Sequence, residues 1–288
     1  MSSQHPAPVP PLQPLPARTV IVPGRGEFFL RDSGLISPEH ADRPPVMLLH
    51  GWTASADLNW LAQYDATVAA GYRVLAIDHR GHGRGLRTFG RFRLTDCADD
   101  AAAVLRALDL GPVTVVGYSM GGAITQLIMR DHADVAGAFV LSGTAQRFDH
   151  PASHRQLQAL PLLRGPLAAA PKTTWKRVLT PLGMSPAESP WLAAEMLRHD
   201  PGSIIDAGRE LQRFDSRPWL RPAAVPTAFV LTTRDDVVPP DLQRELIAAT
   251  GAEVFEAPIR HVQITQRPAD YNPAFLAALA HVRSAVGR

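Results

Sequence analysis

Short apolar runs alternate with segments of helical periodicity along the first half of the chain. Residues 44–51 (PPVMLLHG) and 73–78 (RVLAID) are apolar runs of strand length, a pattern typical of strands that are buried on both faces of a sheet. Residues 61–71 and 95–111 have helical spacing and end at glycine, and the second segment opens with a threonine followed by acidic residues. The pattern therefore predicts strand, helix, strand and helix at these four places.

The same alternation continues through the rest of the chain with one interruption. The further predicted elements are strand 112–118, helix 121–132, strand 135–143, strand 226–236, helix 241–251, strand 252–259 and helix 273–286. An antiparallel strand pair, 19–24 and 27–34, is predicted before all of them. Alternation at this spacing favours right-handed βαβ units, so we predict an α/β fold with a mostly parallel central sheet flanked by helices.

The interruption defines the predicted domain organisation. Residues 146–222 are irregular, punctuated by proline and rich in helix-forming residues, so we predict a helical lid or cap inserted into the fold. Residues 19–145 and 223–288 are then the two halves of one α/β core. Residues 1–18 are rich in proline and are predicted to form an extended, disordered N-terminal arm.

Composition narrows the class of protein. The chain has 288 residues, of which 45% are hydrophobic and 19% charged, so it can bury a sizeable core, and its net charge of +2 does not indicate a polyanionic partner. Cys97 is the only cysteine, which rules out an intrachain disulfide and a cysteine-rich metal site. No apolar run is long enough to span a bilayer and no secretory signal is recognisable, so we expect a soluble cytoplasmic protein.

Chemically useful groups follow four of the predicted parallel strands. Ser119 follows strand 112–118, and the tripeptide His50-Gly51-Trp52 follows the apolar residues VMLL (46–49). Asp235 follows AFVLTT (228–233), and His261 follows VFEAPI (254–259). Ligands bind at the carboxyl ends of the strands in open parallel sheets, so these groups are expected at one edge. A serine hydroxyl becomes an effective nucleophile when a base lies within hydrogen-bond reach and an acid orients that base. Attack on a carbonyl also needs hydrogen-bond donors that stabilise the oxyanion.

The segment around Ser119 matches a known nucleophile motif. Residues 117–121 read Gly-Tyr-Ser-Met-Gly, which fits G-x-S-x-G, and the serine lies between a predicted strand and a predicted helix, as that motif requires. The chain order serine, aspartate, histidine separates this arrangement from the other serine hydrolase plans. We therefore interpret Ser119 as a nucleophile rather than as an ordinary turn residue.

Over residues 19–286 the chain resembles the α/β-hydrolase superfamily. The matching segments are HGW (50–52), DHRGHG (78–83), GYSMGG (117–122), RDDVVP (234–239) and the late His261. The resemblance implies that Ser119 is the nucleophile, Asp235 the acid and His261 the base. It further implies that the backbone N–H groups of Trp52 and Met120 form the oxyanion hole.

Two details of this assignment involve alternatives. The family pattern places the acid four residues before a proline, here Pro239, which favours Asp235 and leaves Asp236 as the second choice. The family's base often follows glycine, whereas His261 follows Arg260. His261 is still favoured, because the other late histidine, His281, lies within the predicted last helix.

Other residues near the motifs are interpreted as structural. His50 is expected to form hydrogen bonds near the oxyanion loop, and Asp78 is expected to fix the turn that follows it. Residues 80–93 contain five arginines but match neither a dinucleotide fingerprint nor a nucleic-acid-binding module, so we predict a solvated loop near the mouth of the pocket. No sequence motif indicates a metal or a cofactor.

The predicted function is hydrolysis of carboxylic esters through an acyl-enzyme, with a small and mainly apolar ester or acyl compound as substrate. The same residue types also serve carbon–carbon bond hydrolysis and cofactor-free perhydrolysis of the haloperoxidase type, and the segment HGWTASADLNW resembles the oxyanion loop of the latter group. A small-molecule receptor without catalysis is a further alternative, for which an intact triad is more than binding requires. Fold alone does not choose among these chemistries.

Overall fold

A computed structural model of the chain describes residues 12–148 and 190–286. Within these residues one sheet is formed by strands β1 (Ala17–Val22), β2 (Gly26–Asp32), β3 (Pro45–Leu49), β4 (Arg73–Ile77), β5 (Val113–Tyr118), β6 (Ala136–Ser142), β7 (Thr227–Thr232) and β8 (Glu253–Ala257). Their spatial order is β1-β2-β4-β3-β5-β6-β7-β8. Strands β1 and β2 are antiparallel to their neighbours and β3 to β8 are parallel to one another, so the predicted mostly parallel sheet is confirmed.

Helices connect the parallel strands. Those of the described residues are α1 (Pro38–Ala41), α2 (Ala56–Ala69), α3 (Leu94–Leu108), α4 (Met120–Asp131), α5 (Pro190–Met196), α6 (Pro201–Arg213), α7 (Pro240–Thr250) and α8 (Pro268–Val286). Helix α2 begins earlier than its apolar spacing predicts, because the Ser55 side chain caps it by accepting from Leu58 N. Helix α8 begins at Pro268, a residue type that suits the first turn of a helix, and the predicted start at Pro273 lies inside the helix.

The core lies on both faces of the sheet. Alternate residues of β3 show this directly: Met47 and Leu49 pack into one cluster with α3 and α4, whereas Val46 and Leu48 pack into another with α2 and α8. All four side chains are fully buried. The uninterrupted apolar strand predicted from the sequence therefore follows from burial on both faces.

The predicted domain boundaries fall partly outside the described residues, which do not include 1–11, 149–189 or 287–288. The described part of the predicted arm differs from an extended disordered segment. Strand β1 begins at Ala17, Leu15 is buried, and the Pro16 carbonyl accepts a hydrogen bond from Asp32 N at 2.9 Å. The described part of the predicted lid contains helices α5 and α6.

Candidate active site

Ser119 lies on a sharp turn between β5 and α4. Its backbone has φ 55° and ψ −117°, a left-handed conformation that an L-residue adopts only where the surrounding structure imposes it. The turn is held by Ser119 N, which donates to the Ser142 carbonyl of the neighbouring strand at 3.0 Å. The serine hydroxyl is thereby presented at the carboxyl end of the sheet, as the motif predicts.

The glycines of the motif are required by close packing. A β carbon on Gly121 would overlap the Leu49 carbonyl, and one on Gly117 would overlap the Gly121 carbonyl. Gly122 packs equally closely on the Thr144 side chain. These contacts let α4 start directly against the ends of β3 and β5.

The structure brings the three predicted triad residues together. Ser119 Oγ lies 2.9 Å from His261 Nε2, and His261 Nδ1 lies 2.8 Å from Asp235 Oδ2. The side chains of Ser119 and Asp235 are almost entirely buried, and that of His261 is 12% exposed. The arrangement can pass a proton from the serine to the histidine while the carboxylate orients the ring.

Asp235 is the carboxylate that contacts the histidine. Its Oδ2 also accepts from Thr232 Oγ1 at 2.8 Å, and its Oδ1 accepts from the backbone N–H groups of Val237 and Val238 at 2.9 and 2.8 Å. Asp236, the second choice from the sequence, is exposed. Thr232 was not singled out in the sequence, where a threonine at the end of a strand carries no distinguishing signal.

His261 begins a short 3₁₀ turn, His261–Gln263. Its carbonyl accepts from the hydroxyl of Tyr118 at 2.6 Å, and Tyr118 is the residue before the proposed nucleophile. Arg260 takes the place of the expected glycine without strain, because its backbone is extended and its N–H donates to Gln263 Oε1. His281 lies on the exposed surface of α8 against Phe255.

The two predicted oxyanion donors flank Ser119. Met120 is the first residue of α4, where backbone N–H groups have no partner within the helix. Trp52 lies in the loop after β3, and its neighbour Gly51 is so close to the serine that a β carbon there would lie 3.3 Å from Ser119 Cβ. Gly51 N donates to the Asn59 side chain at 2.8 Å, a contact that the sequence did not indicate.

A cavity of about 480 Å³ opens in front of the serine. Its described walls include Ser119, His261 and Trp52, and its apolar lining comes from α2, α5 and the segment after His261, namely Leu58, Leu61, Ala62, Trp191, Leu192, Met196, Val262 and Ile264. Among the described lining residues, Asp57 is the one with a carboxylate, and no lysine or arginine is included. The cavity therefore suits an uncharged, mainly apolar group.

Comparison with known proteins identifies the family. A sequence profile of the alpha/beta hydrolase fold matches residues 44–264. The chain belongs to the α/β-hydrolase family. It is 30% identical over 215 residues to the AB hydrolase superfamily protein YisY of Bacillus subtilis, which covers 70% of this chain and 78% of that protein.

One further relative and one solved structure are also similar to this chain. A non-heme chloroperoxidase of Burkholderia pyrrocinia is 38% identical over 111 residues, so the match spans 38% of each chain. A solved structure of a thermophilic esterase from Thermogutta terrifontis superposes with a TM-score of 0.73 over 93% of this chain and 99% of that chain, at 21% identity. The second likeness concerns the fold alone.

His50 of this α/β-hydrolase is a structural residue in the sense predicted. It is fully buried, its Nδ1 lies 2.8 Å from the Gly51 carbonyl oxygen, and its Nε2 accepts from His79 N at 3.0 Å. Burial, together with the neighbouring ring of His79, holds the pKa of His50 well below its usual value. The ring is therefore neutral near pH 7, with its proton on Nδ1.

Asp78 fixes the turn that follows β4. Its Oδ1 accepts from Ala56 N and its Oδ2 from Arg84 N, both at 2.7 Å. Burial raises the pKa of this carboxyl to about 6. The loop beyond it is not solvated along its whole length as predicted: residues 80–86 are buried or half-buried, and residues 87–91 are exposed. The prediction is wrong for the first part because that part packs against α5 and α6.

Ion pairs join this loop to the described part of the predicted cap. Arg84 binds both carboxylate oxygens of Glu195 at 2.5 and 2.8 Å, and its Nη1 lies 3.5 Å from Asp57 Oδ2. Both acidic side chains are almost completely buried. Glu195 belongs to α5, which also lines the cavity, so the pair holds that wall of the site in place.

Four histidines cluster beside the loop. The ring centroid of His50 lies 4.3 Å from that of His79 and 5.3 Å from that of His82. The ring centroids of His82 and His199 are 5.6 Å apart. Burial lowers the pKa of His79 to about 3 and that of His199 to about 4. In the part of the chain that the structure describes, no group of three or more metal-ligating side chains is arranged to hold an ion, and no helix there is long and apolar enough to cross a membrane.

Proposed function

We propose that the protein hydrolyses carboxylic esters through an acyl-enzyme, with Ser119, His261 and Asp235 as its catalytic residues. The observation that carries this proposal is the continuous hydrogen-bonded chain from Ser119 Oγ through His261 to Asp235. The strained backbone at Ser119 supports it, because such strain is retained mainly at functional sites.

In the acylation step, His261 Nε2 takes the proton of Ser119 Oγ as that oxygen attacks the ester carbonyl carbon. Asp235 accepts from the Nδ1–H of the ring and stabilises the imidazolium that forms. The N–H groups of Trp52 and Met120 bind the oxyanion of the tetrahedral intermediate. When the intermediate collapses, the bond from the carbonyl carbon to the alcohol oxygen breaks and His261 protonates the departing alcohol.

In the deacylation step, a water molecule gives a proton to His261 Nε2 and attacks the acyl carbon of the Ser119 ester. The second tetrahedral intermediate releases the carboxylic acid, and the proton returns from the histidine to Ser119 Oγ. The proposed reaction uses these three side chains, the two backbone N–H groups and one water molecule. The apolar cavity walls favour an uncharged acyl or alcohol group of modest size.

A second candidate function is perhydrolysis, in which hydrogen peroxide replaces water as the acyl acceptor. Attack of peroxide on the acyl-enzyme releases a peroxy acid and regenerates Ser119. The likeness to a non-heme chloroperoxidase favours this candidate. Both reactions share the acyl-enzyme and differ only in the second nucleophile.

The test is hydrolysis of p-nitrophenyl esters of increasing chain length by the wild type, Ser119→Ala and the control Ser284→Ala, whose side chain lies on the exposed surface of α8. We expect loss of turnover in Ser119→Ala alone, and fluorophosphonate labelling that peptide mass analysis assigns to Ser119. Added hydrogen peroxide separates the two candidates, because only perhydrolysis yields peroxy acid at the expense of carboxylic acid.

Other outcomes point to the remaining alternatives. Labelling of Ser119 without ester turnover favours carbon–carbon bond hydrolysis, and tight binding of small molecules without turnover favours a receptor. Absence of labelling together with unchanged activity in Ser119→Ala overturns the proposed nucleophile.

A further inference from the structure

The side chain of Trp52 contacts an element far away in the sequence. Its indole Nε1–H donates to the carbonyl oxygen of Ile204 in α6 at 2.8 Å, across 152 positions of the chain. Local hydrogen bonds also hold this loop: Gly51 N donates to Asn59, His50 to Gly51 O, and Thr53 Oγ1 to Trp52 O. The His199 ring, which precedes α6, interacts with the Thr53 backbone. The indole is therefore the side-chain hydrogen bond that joins Trp52 itself, in the proposed oxyanion loop, to α6.

The loop is strained at the residue after Trp52. Thr53 has φ 59°, in the left-handed region where a β-branched residue is a genuine outlier. A conformation of that kind persists only when surrounding contacts over-determine it. The indole hydrogen bond belongs to Trp52, the residue before the strained Thr53. Losing this bond would allow the backbone at Thr53 to relax.

The Ile204 carbonyl is a fixed acceptor because the start of α6 is docked on the core. Asp200 N donates to the Gly81 carbonyl at 2.8 Å, and Gly83 N donates to His199 Nδ1 at 2.9 Å. Gly81 and Ser203 approach so closely that a β carbon on the glycine would overlap the serine side chain. The position of α6 is thereby set relative to the turn after β4.

We propose that the indole of Trp52 is a positioning group that couples the docking of α6 to the geometry of the oxyanion hole. Its backbone N–H binds the oxyanion, and its side chain keeps that N–H in place by its bond to α6. This inference rests on the proposed function, since it concerns the rate of the same acylation step. The coupling itself can also be measured in the unliganded protein, from the exchange of backbone amides in the loop.

The first test compares Trp52→Phe with Trp219→Phe, a matched substitution at a tryptophan that packs against Phe214 and Arg130 away from the cavity. For p-nitrophenyl acetate we expect kcat to fall about two- to tenfold in Trp52→Phe, the range of one hydrogen bond, with KM unchanged. KM stays unchanged because an oxyanion donor acts mainly in the transition state. Trp219→Phe is expected to match the wild type.

The second test is hydrogen–deuterium exchange of the unliganded protein, which does not depend on activity. Trp52→Phe should speed exchange both in residues 50–56 and in residues 200–206. Asp200→Ala loosens the start of the same helix without changing the indole, because the Asp200 carboxylate caps α6 by accepting from Ser203 N at 2.7 Å. If the coupling exists, this variant also speeds exchange in residues 50–56, which it does not touch.

The outcomes separate the two proposals. Unchanged kcat and unchanged exchange in residues 50–56 in Trp52→Phe overturn the coupling, even when Ser119→Ala is inactive and the proposed function stands. A raised KM with unchanged kcat also overturns it and makes the indole a substrate contact. If the wild type lacks acyl-transfer activity, the function fails, and exchange in the two variants still decides whether the loop and α6 are coupled.

Discussion

Nδ1 of His50 lies 2.8 Å from the carbonyl oxygen of Gly51, and that carbonyl belongs to the same peptide group as the N–H of Trp52. The imidazole proton is on Nδ1 because Nε2 accepts from His79 N. The neutral ring therefore fixes the orientation of the peptide group that we propose as an oxyanion donor.

The first prediction concerns this histidine. His50→Leu should lower kcat for p-nitrophenyl acetate by about 10- to 100-fold with little change in KM, because a misplaced donor loses much of the 10²- to 10³-fold that a whole donor supplies. His50→Asn should recover part of the loss, since its amide N–H can replace Nδ1–H. His281→Leu, at an exposed position, is the control. Equal activity of His50→Leu and the control would contradict the role.

The second prediction separates the two neighbouring aspartates. Asp235→Asn should lower kcat by about 10⁴-fold, because an amide in this place favours the wrong tautomer of His261. Asp236→Asn should stay within about twofold of the wild type, since Asp236 is exposed whereas Asp235 contacts the ring. Initial rates of ester hydrolysis by the two variants decide the matter. The reverse ranking would assign the acid to Asp236.

The third prediction is a loss of stability in mild acid. Burial lowers the pKa values of His50, His79, His82 and His199, so these side chains stay neutral in the folded state while the unfolded chain protonates them below about pH 6.5. The stability linked to them is fully present above pH 6.5 and is lost as the pH falls. Asp78 has the opposite effect on stability. Because its pKa in the folded state is about 6, the folded protein binds this proton at a higher pH than the unfolded chain does.

Near pH 5 the unfolded chain should therefore bind more of these histidine protons than the folded protein, so the free energy of unfolding should fall as the pH falls from 7 to 5. Urea unfolding at pH 7, 6 and 5 measures this slope. His82→Asn keeps a donor for the Arg80 carbonyl and removes one titrating ring, so its free energy of unfolding should fall less steeply with pH than that of the wild type. A slope that is flat or of opposite sign in the wild type would show that the cluster is protonated when folded.

Much of the fold was predictable because burial on both faces leaves a local signal. Residues 45–49 form an unbroken apolar run, and the structure buries alternate side chains on opposite faces of the sheet. Ser119 was also identified from a local signal, a strand, a turn of fixed composition and a helix. His261 was identified from its place after a predicted strand and from the family resemblance. Their separation in space, 2.9 Å between Oγ and Nε2, is what the strand order produces.

Contacts between distant segments leave no such signal. Glu195 looks like a solvent-facing residue of an amphipathic helix, yet it is buried because Arg84 supplies a bidentate partner from another part of the chain. The same holds for the hydrogen bond from Trp52 to Ile204. Residues 80–86 were assigned to solvent for this reason: their arginines bind carboxylates that pattern analysis does not place nearby.

The last prediction concerns Gly121, whose position at the start of α4 allows the helix to touch β3. A β carbon there would overlap the Leu49 carbonyl and lie 3.0 Å from the His50 carbonyl, and backbone atoms of a central strand do not move aside cheaply. Gly121→Ala should therefore lower the free energy of unfolding by about 3 kcal/mol or more. Gly137→Ala is the matched control, because its β carbon would meet Pro112 at an ordinary 3.4 Å. Urea unfolding of both variants checks this, and equal stability would mean that α4 can shift away from β3.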